Sequence, residues 1–227
     1  MTESKLGKEK HIQYWQRCLK TLLPTAYTST DSSRMSLGFF ILSALDILGA
    51  PPIPELQRAN IREWILRCQH PSGGFCGSPN HRYPDACYGN GEQMDPANLP
   101  ATYFALLSLS FVGRLEGVQR AKCLLWLKRL QREDGSFGEL VMRDGKIKGG
   151  SDMRYCFVAM AVRWILRGDE KEEDIEDINV EKLVDHLRSG QVWSKTNVKM
   201  RADKSRRMMV GSRNLRNTKL MVGIRLG

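Results

Sequence analysis

The chain is 227 residues long, and its content of 41% hydrophobic and 26% charged residues is typical of a globular protein that folds in water. No apolar run approaches the roughly 20 residues of a membrane-spanning helix, and the polar start of the chain does not resemble a secretory signal. We therefore expect a cytoplasmic protein with no stable membrane insertion.

The net charge of +10 lies almost wholly at the C-terminal end of the sequence. Residues 192–227 carry +9, whereas residues 1–191 carry +1. This break divides the chain into a nearly neutral body, 1–191, and a basic tail, 192–227, which we expect to be disordered or artefactual. A tail that binds nucleic acid or a membrane surface is the alternative. The tail lacks the interleaved aromatic residues and motifs of such binders, so nucleic acid is not an expected partner.

Two kinds of predicted helix alternate along the body. The helices that are apolar nearly all round are 34–49, 101–113 and 153–168, and the amphipathic ones are 58–69, 118–131 and 179–190. Helices that are apolar on every side are expected to be buried, while amphipathic helices face water on one side. No segment alternates convincingly with period two, so the pattern predicts an all-α fold with an inner and an outer layer of helices.

A repeated turn follows two of the amphipathic helices. At an offset of 62 residues, Trp64, Arg67, Gln69, Gly73 and Phe75 recur as Trp126, Arg129, Gln131, Gly135 and Phe137. In each copy a helix ends in Gln, a turn containing Gly follows, and a Phe folds apolar area back onto the helices. An internal repeat of this kind predicts stacked helix pairs rather than one irregular core.

The cysteines show no pairing pattern. They are Cys18, Cys68, Cys76, Cys87, Cys123 and Cys156. Without an export signal we expect reduced thiols rather than a disulfide framework. A zinc site made of His70, Cys76, His81 and Cys87 is an alternative, but the spacing matches no common zinc motif, which favours an ordinary loop.

Several segments, taken in order, carry a resemblance to a known family. They are HIQYWQRCL (11–19), SRMSLGFFILSALDIL (33–48), LPATYFALLSL (99–109), LKRLQREDGSFG (127–138) and SDMRYCFVAMAV (151–162). This ordered set resembles the beta subunits of protein prenyltransferases, and most of all geranylgeranyltransferase type I. Farnesyltransferase and Rab geranylgeranyltransferase beta subunits are the alternatives within the family.

The resemblance implies a fold and a reaction. The fold is an α/α toroid, an inner and an outer ring of helices around an apolar cavity, of which 1–191 would form an incomplete part. The implied enzyme pairs with a helical alpha subunit and transfers a geranylgeranyl group from geranylgeranyl diphosphate to a cysteine near the C-terminus of a protein such as a small GTPase. A zinc ion would lower the pKa of that cysteine.

Four residues match functional positions of the family. Arg154 matches an arginine near the diphosphate, and Tyr103 matches an aromatic residue that packs on the lipid. Ser36 and Phe40 match positions that line the lipid and peptide end of the cavity. The residue after Tyr103 is Phe104, where the family pattern has a small residue, so the length of the pocket is open.

The zinc ligands of the family are an Asp and a Cys close together and a distant His, and they belong beyond residue 191. Since no Cys follows Cys156 and no His follows His186, we predict neither metal ligands nor catalytic residues in this chain. We expect an N-terminal half that is inactive alone. A pseudo-subunit that only binds the alpha subunit is the non-enzymatic alternative.

Overall fold

A computed structural model describes residues 6–21, 25–80, 96–142, 144–168 and 175–190. A first compact unit ends at His186, and the described residues 187–190 belong to a second unit. The predicted boundary at residue 191 and the tail 192–227 lie outside the described residues.

Helices make up most of the described chain, as predicted. In chain order they are α1 (Lys8–Lys20), a 3-10 helix (Thr25–Ser33), α2 (Arg34–Ile47), α3 (Glu55–Arg67), α4 (Leu99–Val112), α5 (Arg120–Arg129), α6 (Met153–Arg167) and α7 (Val180–Ser189). A short antiparallel hairpin joins β1 (Leu140–Val141) to β2 (Ile147–Lys148). All six helices predicted from the sequence are present, each with its ends within three residues of the prediction.

The two predicted layers are present in the first unit. Helix α4 packs against α2 and α6, which makes these three the inner layer. In the outer layer, α3 packs against α4 and α5 packs against α6. The amphipathic α5 buries one face, on which Cys123, Leu124, Trp126 and Leu127 lie. The chain therefore has the helix-on-helix architecture that its alternating pattern predicts.

The inner helices differ in how much of their apolar surface is covered. Helix α4 is buried along most of its length, as predicted. The same prediction is wrong for parts of α2 and α6, where Phe40 and Phe157 are more than half exposed. The reason is position: α4 lies between the other two, whereas α2 and α6 each turn one flank toward α4 and leave another flank uncovered within the described residues.

Both copies of the repeated turn are present, although the preceding helices end at Arg67 and Arg129, two residues before the predicted Gln69 and Gln131. Residues Gln69 and Phe75 pair as a single antiparallel bridge, and Gln131 and Phe137 pair in the same way. The rings of Phe75 and Phe137 are fully buried and belong to the main hydrophobic core. Each turn thus closes the end of one outer helix and places a large ring in the core.

Glycine is required in each turn for two reasons. Gly73 has a φ of +127° and Gly135 a φ of +85°, a region in which L side chains are strained. A Cβ at Gly73 would overlap the carbonyl oxygen of Lys122 in α5, and one at Gly135 would overlap that of Lys182 in α7. Each turn therefore rests directly on the backbone of the next outer helix.

The glutamine of each turn holds the segment in front of the next outer helix. Gln69 donates from Nε2 to the carbonyl of Gly73 at 3.0 Å, and its Oε1 accepts from the backbone N–H of Gln119 at 3.1 Å. Gln131 donates to the carbonyl of Asn179 at 2.8 Å and accepts from the N–H of Asn179 at 2.7 Å. The side-chain amide serves as donor and acceptor at once, which explains why the repeat keeps Gln.

Candidate functional site

A row of aromatic rings crosses the inner layer from α2 through α4 to α6. Its members are Phe39, Phe40, Tyr103, Phe104, Phe111 and Phe157. The ring centroids of Phe40 and Phe104 are 5.5 Å apart, and those of Phe104 and Tyr103 are 5.4 Å apart. Tyr103 then meets Phe157 edge to face at 6.3 Å. These spacings are those of interacting aromatic pairs, so the rings form one continuous surface.

Both ends of the aromatic row are open. Phe40 is 53% exposed and Phe157 is 56% exposed, while Tyr103 and Phe104 between them are half-buried. Large connected apolar surfaces left open on a soluble protein mark sites for partners or ligands. The row is apolar and built on packed helices, which suits a long hydrocarbon chain better than a polar ligand.

A positively charged side chain, that of Arg154, lies on α6, the helix that contributes the last ring of the row. Arg154 lies one helical turn before Phe157, and its side chain is 88% exposed. Its guanidinium pairs with Asp152, with Nε to Oδ1 at 2.9 Å and Nη2 to Oδ2 at 3.0 Å. Both hydrogen bonds leave the guanidinium with further N–H donors, since Arg has five.

Asp152 both caps helix α6 and pairs with the side chain of Arg154. It is the N-cap residue of α6, and its Oδ1 accepts the backbone N–H of Arg154 at 2.9 Å. The hydrogen bonds from the side chain and backbone of Arg154 hold the pKa of this carboxyl below its usual value. The carboxylate is therefore ionised at neutral pH and occupies the face of Arg154 that an anionic ligand would use.

The structure brings two of the four residues matched to the family, Phe40 and Tyr103, into the aromatic row, where they are joined through Phe104. Arg154, the third, lies on α6 one helical turn before Phe157. Ser36 is half-buried on α2, one helical turn before Phe40. Burial raises the pKa of Tyr103, so its hydroxyl stays protonated. Their roles as isoprenoid-binding and pocket-lining residues stay predictions.

Sequence reasoning missed Phe157 and the link through Phe104. The spacing of three between Arg154 and Phe157 places both on one side of α6, which is a signal the sequence already contains. The link through Phe104 has no such signal, because it depends on how α2 and α4 pack together.

The described residues do not provide the zinc site that the family implies. Among them, no three His, Cys, Asp or Glu side chains lie close enough together to hold a metal ion. In the alternative loop site, Nδ1 of His70 lies 2.6 Å from the hydroxyl of Ser72, and Cys76 is fully buried. His81 and Cys87 lie outside the described residues.

The described cysteines are thiols without disulfide bonds, as expected; they are Cys18, Cys68, Cys76, Cys123 and Cys156. Burial raises the pKa of Cys123 to about 12 and also raises the pKa of Cys68 and Cys156. A thiol in such surroundings stays protonated and is a poor nucleophile. These buried cysteines therefore belong to the packing of the core.

In the part of the chain that the structure describes, no helix combines the length and the apolar character needed to cross a bilayer.

Comparison with known proteins gives one consistent family. The Prenyltransferase alpha-alpha toroid domain matches residues 6–197 of the chain. A geranylgeranyl transferase type-1 subunit beta of Dictyostelium discoideum is 30% identical over 208 residues, which cover 81% of this chain and 54% of the relative. A subunit of the same name from Arabidopsis thaliana is 29% identical over 70% of this chain and 43% of the relative.

Farnesyltransferase relatives match as well. The protein farnesyltransferase subunit beta of Schizosaccharomyces pombe is 31% identical over 68% of this chain and 35% of its own length. The solved structure of Candida albicans protein geranylgeranyltransferase-I complexed with GGPP superposes with a TM-score of 0.64 at 22% identity, covering 82% of this chain and 51% of that one. This likeness establishes the fold. The chain spans about half the length of the type-1 relatives and of the solved structure, and 35% of the farnesyltransferase subunit.

Proposed function

The chain belongs to the prenyltransferase alpha-alpha toroid family, and we propose that it forms the N-terminal part of the beta subunit of a protein geranylgeranyltransferase type I. The observation that carries the proposal is the aromatic row of α2, α4 and α6, open at both ends and bordered by Arg154. A hydrocarbon chain with an anionic head matches this arrangement in both polarity and order.

The proposed ligand of the row is geranylgeranyl diphosphate. Its isoprenoid chain would lie on the rings of Phe40, Phe104, Tyr103 and Phe157, where each buried methylene contributes about 0.8 kcal/mol. Its diphosphate would meet the guanidinium of Arg154, a planar fork that suits phosphate oxygens. Binding in this way requires the diphosphate to share or replace the carboxylate of Asp152, so the ion pair at the start of α6 is part of the site.

A farnesyl-specific subunit is the second candidate, and one observation favours it. The ring of Phe104 stands in the middle of the row, with centroids 5.0 Å from Phe39 and 5.5 Å from Phe40. A ring in this place takes up space that a small residue would leave to the lipid. The longer isoprenoid is preferred here because the type-1 relatives match a larger share of this chain, 81% and 70%, than the farnesyltransferase relative, 68%.

The proposal extends to partners and a cofactor through the family. The complete enzyme would contain an alpha subunit, would take proteins with a cysteine near the C-terminus, and would use zinc to present that cysteine as a thiolate. The described residues do not fit a zinc site, so none of the steps proposed for this chain involves the metal. The task proposed for the chain itself is to bind and orient the isoprenoid diphosphate.

The test is equilibrium binding of geranylgeranyl diphosphate, farnesyl diphosphate and uncharged geranylgeraniol to the 227-residue chain. Replacing Arg154 by Met should weaken diphosphate binding by about tenfold to a hundredfold, because a charge-assisted hydrogen bond is lost, while geranylgeraniol binding should not change. The matched control is Arg58→Met, since Arg58 pairs with Glu55 at 2.8 Å near the start of α3, away from the aromatic row.

The outcomes separate the candidates. Tighter binding of farnesyl diphosphate than of geranylgeranyl diphosphate would favour the farnesyl-specific subunit. If the Arg154→Met and wild-type chains bound the diphosphate with equal affinity, the diphosphate site proposed at Arg154 would be wrong.

A further inference from the structure

The second turn of the repeat contains a cation that the first turn lacks. Arg132 follows Gln131 directly, and the equivalent residue in the first turn is His70. In the first turn, Nδ1 of His70 accepts the backbone N–H of Ser72 at 3.1 Å. Arg132 reaches much further, to a segment of chain 17 and 18 residues away.

The guanidinium of Arg132 joins two stretches of backbone. On its own turn, Nη1 donates to the carbonyl of Phe137 at 3.0 Å. In the segment in front of α6, Nη1 donates to the carbonyl of Gly150 at 3.1 Å and Nη2 donates to that of Gly149 at 2.9 Å. A Cβ at Gly138 would overlap Cγ2 of Ile147 and the carbonyl oxygen of Lys148 and would also lie 3.1 Å from Nη2 of Arg132, so this turn is closely packed around the guanidinium.

The two carbonyls held by Arg132 come immediately before helix α6. The next carbonyl, that of Ser151, lies 3.3 Å from Nε2 of His186. Asp152 follows as the N-cap residue, and Arg154 is the second residue of the helix. Three consecutive carbonyl groups in front of the helix are therefore in contact with side chains of other elements, and these contacts fix where α6 begins.

We propose that Arg132 is a positioning residue for Arg154: by anchoring the carbonyls of Gly149 and Gly150 it sets the start of α6, and hence the place from which Arg154 meets the diphosphate. This inference rests on the proposed function. Arg132 itself does not touch the lipid or the diphosphate. Its effect passes through the backbone of 149–152 and through the ion pair of Asp152 with Arg154.

A guanidinium is needed for this task. Its planar fork presents five N–H donors, and in this structure two of its nitrogen atoms serve three different carbonyl oxygens. A Lys at position 132 has a single ammonium group and cannot match two neighbouring carbonyls with a rigid fork. The conservative replacement Arg132→Lys should therefore recover only part of the effect.

The experiment is a double-mutant cycle on the 227-residue chain with geranylgeranyl diphosphate and uncharged geranylgeraniol as probes. Arg132→Met should weaken diphosphate binding about tenfold, because a displaced guanidinium keeps only part of its charge-assisted hydrogen bonding to the diphosphate. It should leave geranylgeraniol binding unchanged. In a chain that already contains Arg154→Met, the Arg132→Met replacement should cause no further loss.

A matched control addresses general damage to the fold. Arg62 donates from Nη2 to the carbonyl of Glu116 in the loop before α5, a contact of the same kind at a different helix. Arg62→Met should therefore leave binding of both probes unchanged. Amide hydrogen exchange supplies a readout without ligand: the N–H groups of Arg154 and Tyr155 should exchange faster in Arg132→Met and at the wild-type rate in Arg62→Met.

The results distinguish the two levels of the proposal. An equal loss for both probes, or a further loss in the double variant, would overturn the positioning role and leave the proposed function intact. Wild-type affinity for the diphosphate in Arg154→Met would overturn the proposed diphosphate site, and the positioning role with it.

Discussion

The two turns of the repeat have the same backbone arrangement, but their side chains contact different parts of the molecule. In both, Gln holds the segment before the next outer helix, Gly rests on that helix, and Phe fills the core. The first turn has His70 and Ser72 where the second has Arg132 and Asp134. The shared residues are those that the packing of helix pairs requires, and the variable residues give the second turn its extra contact with the start of α6.

The largest expected effect is a loss of stability, and it should be similar for the two turns. Replacing Gly73 or Gly135 by Ala adds a Cβ that overlaps a helix backbone at a positive φ, so each should lower the free energy of unfolding by about 3 kcal/mol or more. Urea denaturation would measure it. Gly145→Ala is the control, since Gly145 has a φ of +80° with no atom near its Cβ position, and it should cost only about 1 kcal/mol. Equal losses at all three glycines would show that the turns do not rest on the helices as described.

A smaller effect tests the glutamines. Gln69→Ala and Gln131→Ala each remove hydrogen bonds to the backbone and leave donors and acceptors without a partner, so each should lower the free energy of unfolding by about 1–2 kcal/mol. Gln13→Ala at an exposed position of α1 should change it by less than about 0.5 kcal/mol. If the loss at Gln69 differed from that at Gln131 by more than about 1 kcal/mol, the two turns would not be mechanically equivalent.

The smallest expected effect is a pH dependence of stability, which only the second turn should contribute. The hydroxyl and backbone N–H of Ser136 donate to Oδ1 of Asp134 at 2.7 and 3.0 Å and lower the pKa of this carboxyl. A lowered folded-state pKa stabilises the protein above the unfolded-state pKa, and this contribution is lost as the pH falls through the folded value, below about pH 4. Because Asp134 is more than half exposed, the contribution stays under about 1 kcal/mol.

The comparison needed is wild type against Asp134→Asn, with urea titrations between neutral and acidic pH. Wild type should be the more stable at neutral pH, and the difference should vanish in acid. A difference that persists unchanged in acid would mean that the charge of Asp134 is not its cause. The first turn has Ser72 at this place and should contribute no such dependence.

Much of the fold could be predicted from the sequence because its signals are local. Apolar segments ending in Gly gave the inner helices, and the offset of 62 residues gave both turns. The exposure of Phe40 and Phe157 could not be predicted, because an apolar helix looks the same whether its flank meets another helix or an open surface. Helix α1 is not predicted, because the alternating pattern begins after it, and residues 11–19 contribute only to the family resemblance.

The site could be predicted only in part. Arg154, Tyr103 and Phe40 came from a family match, and the structure shows that Phe104 links two of them. The reach of Arg132 had no counterpart in the sequence, because its partners become neighbours only when the second turn folds back beside residues 149 and 150. Local patterns locate elements, whereas contacts between distant segments depend on how the elements pack.

The most direct test of the central claim is photoaffinity labelling of the chain with a geranylgeranyl diphosphate analogue that carries a benzophenone on the isoprenoid. We expect adducts on peptides of the aromatic row, at Phe40, at Tyr103 and Phe104, and at Phe157, and we expect unlabelled geranylgeranyl diphosphate to suppress them. Adducts concentrated on the outer helices α3 and α5, or labelling that the unlabelled ligand does not suppress, would contradict it.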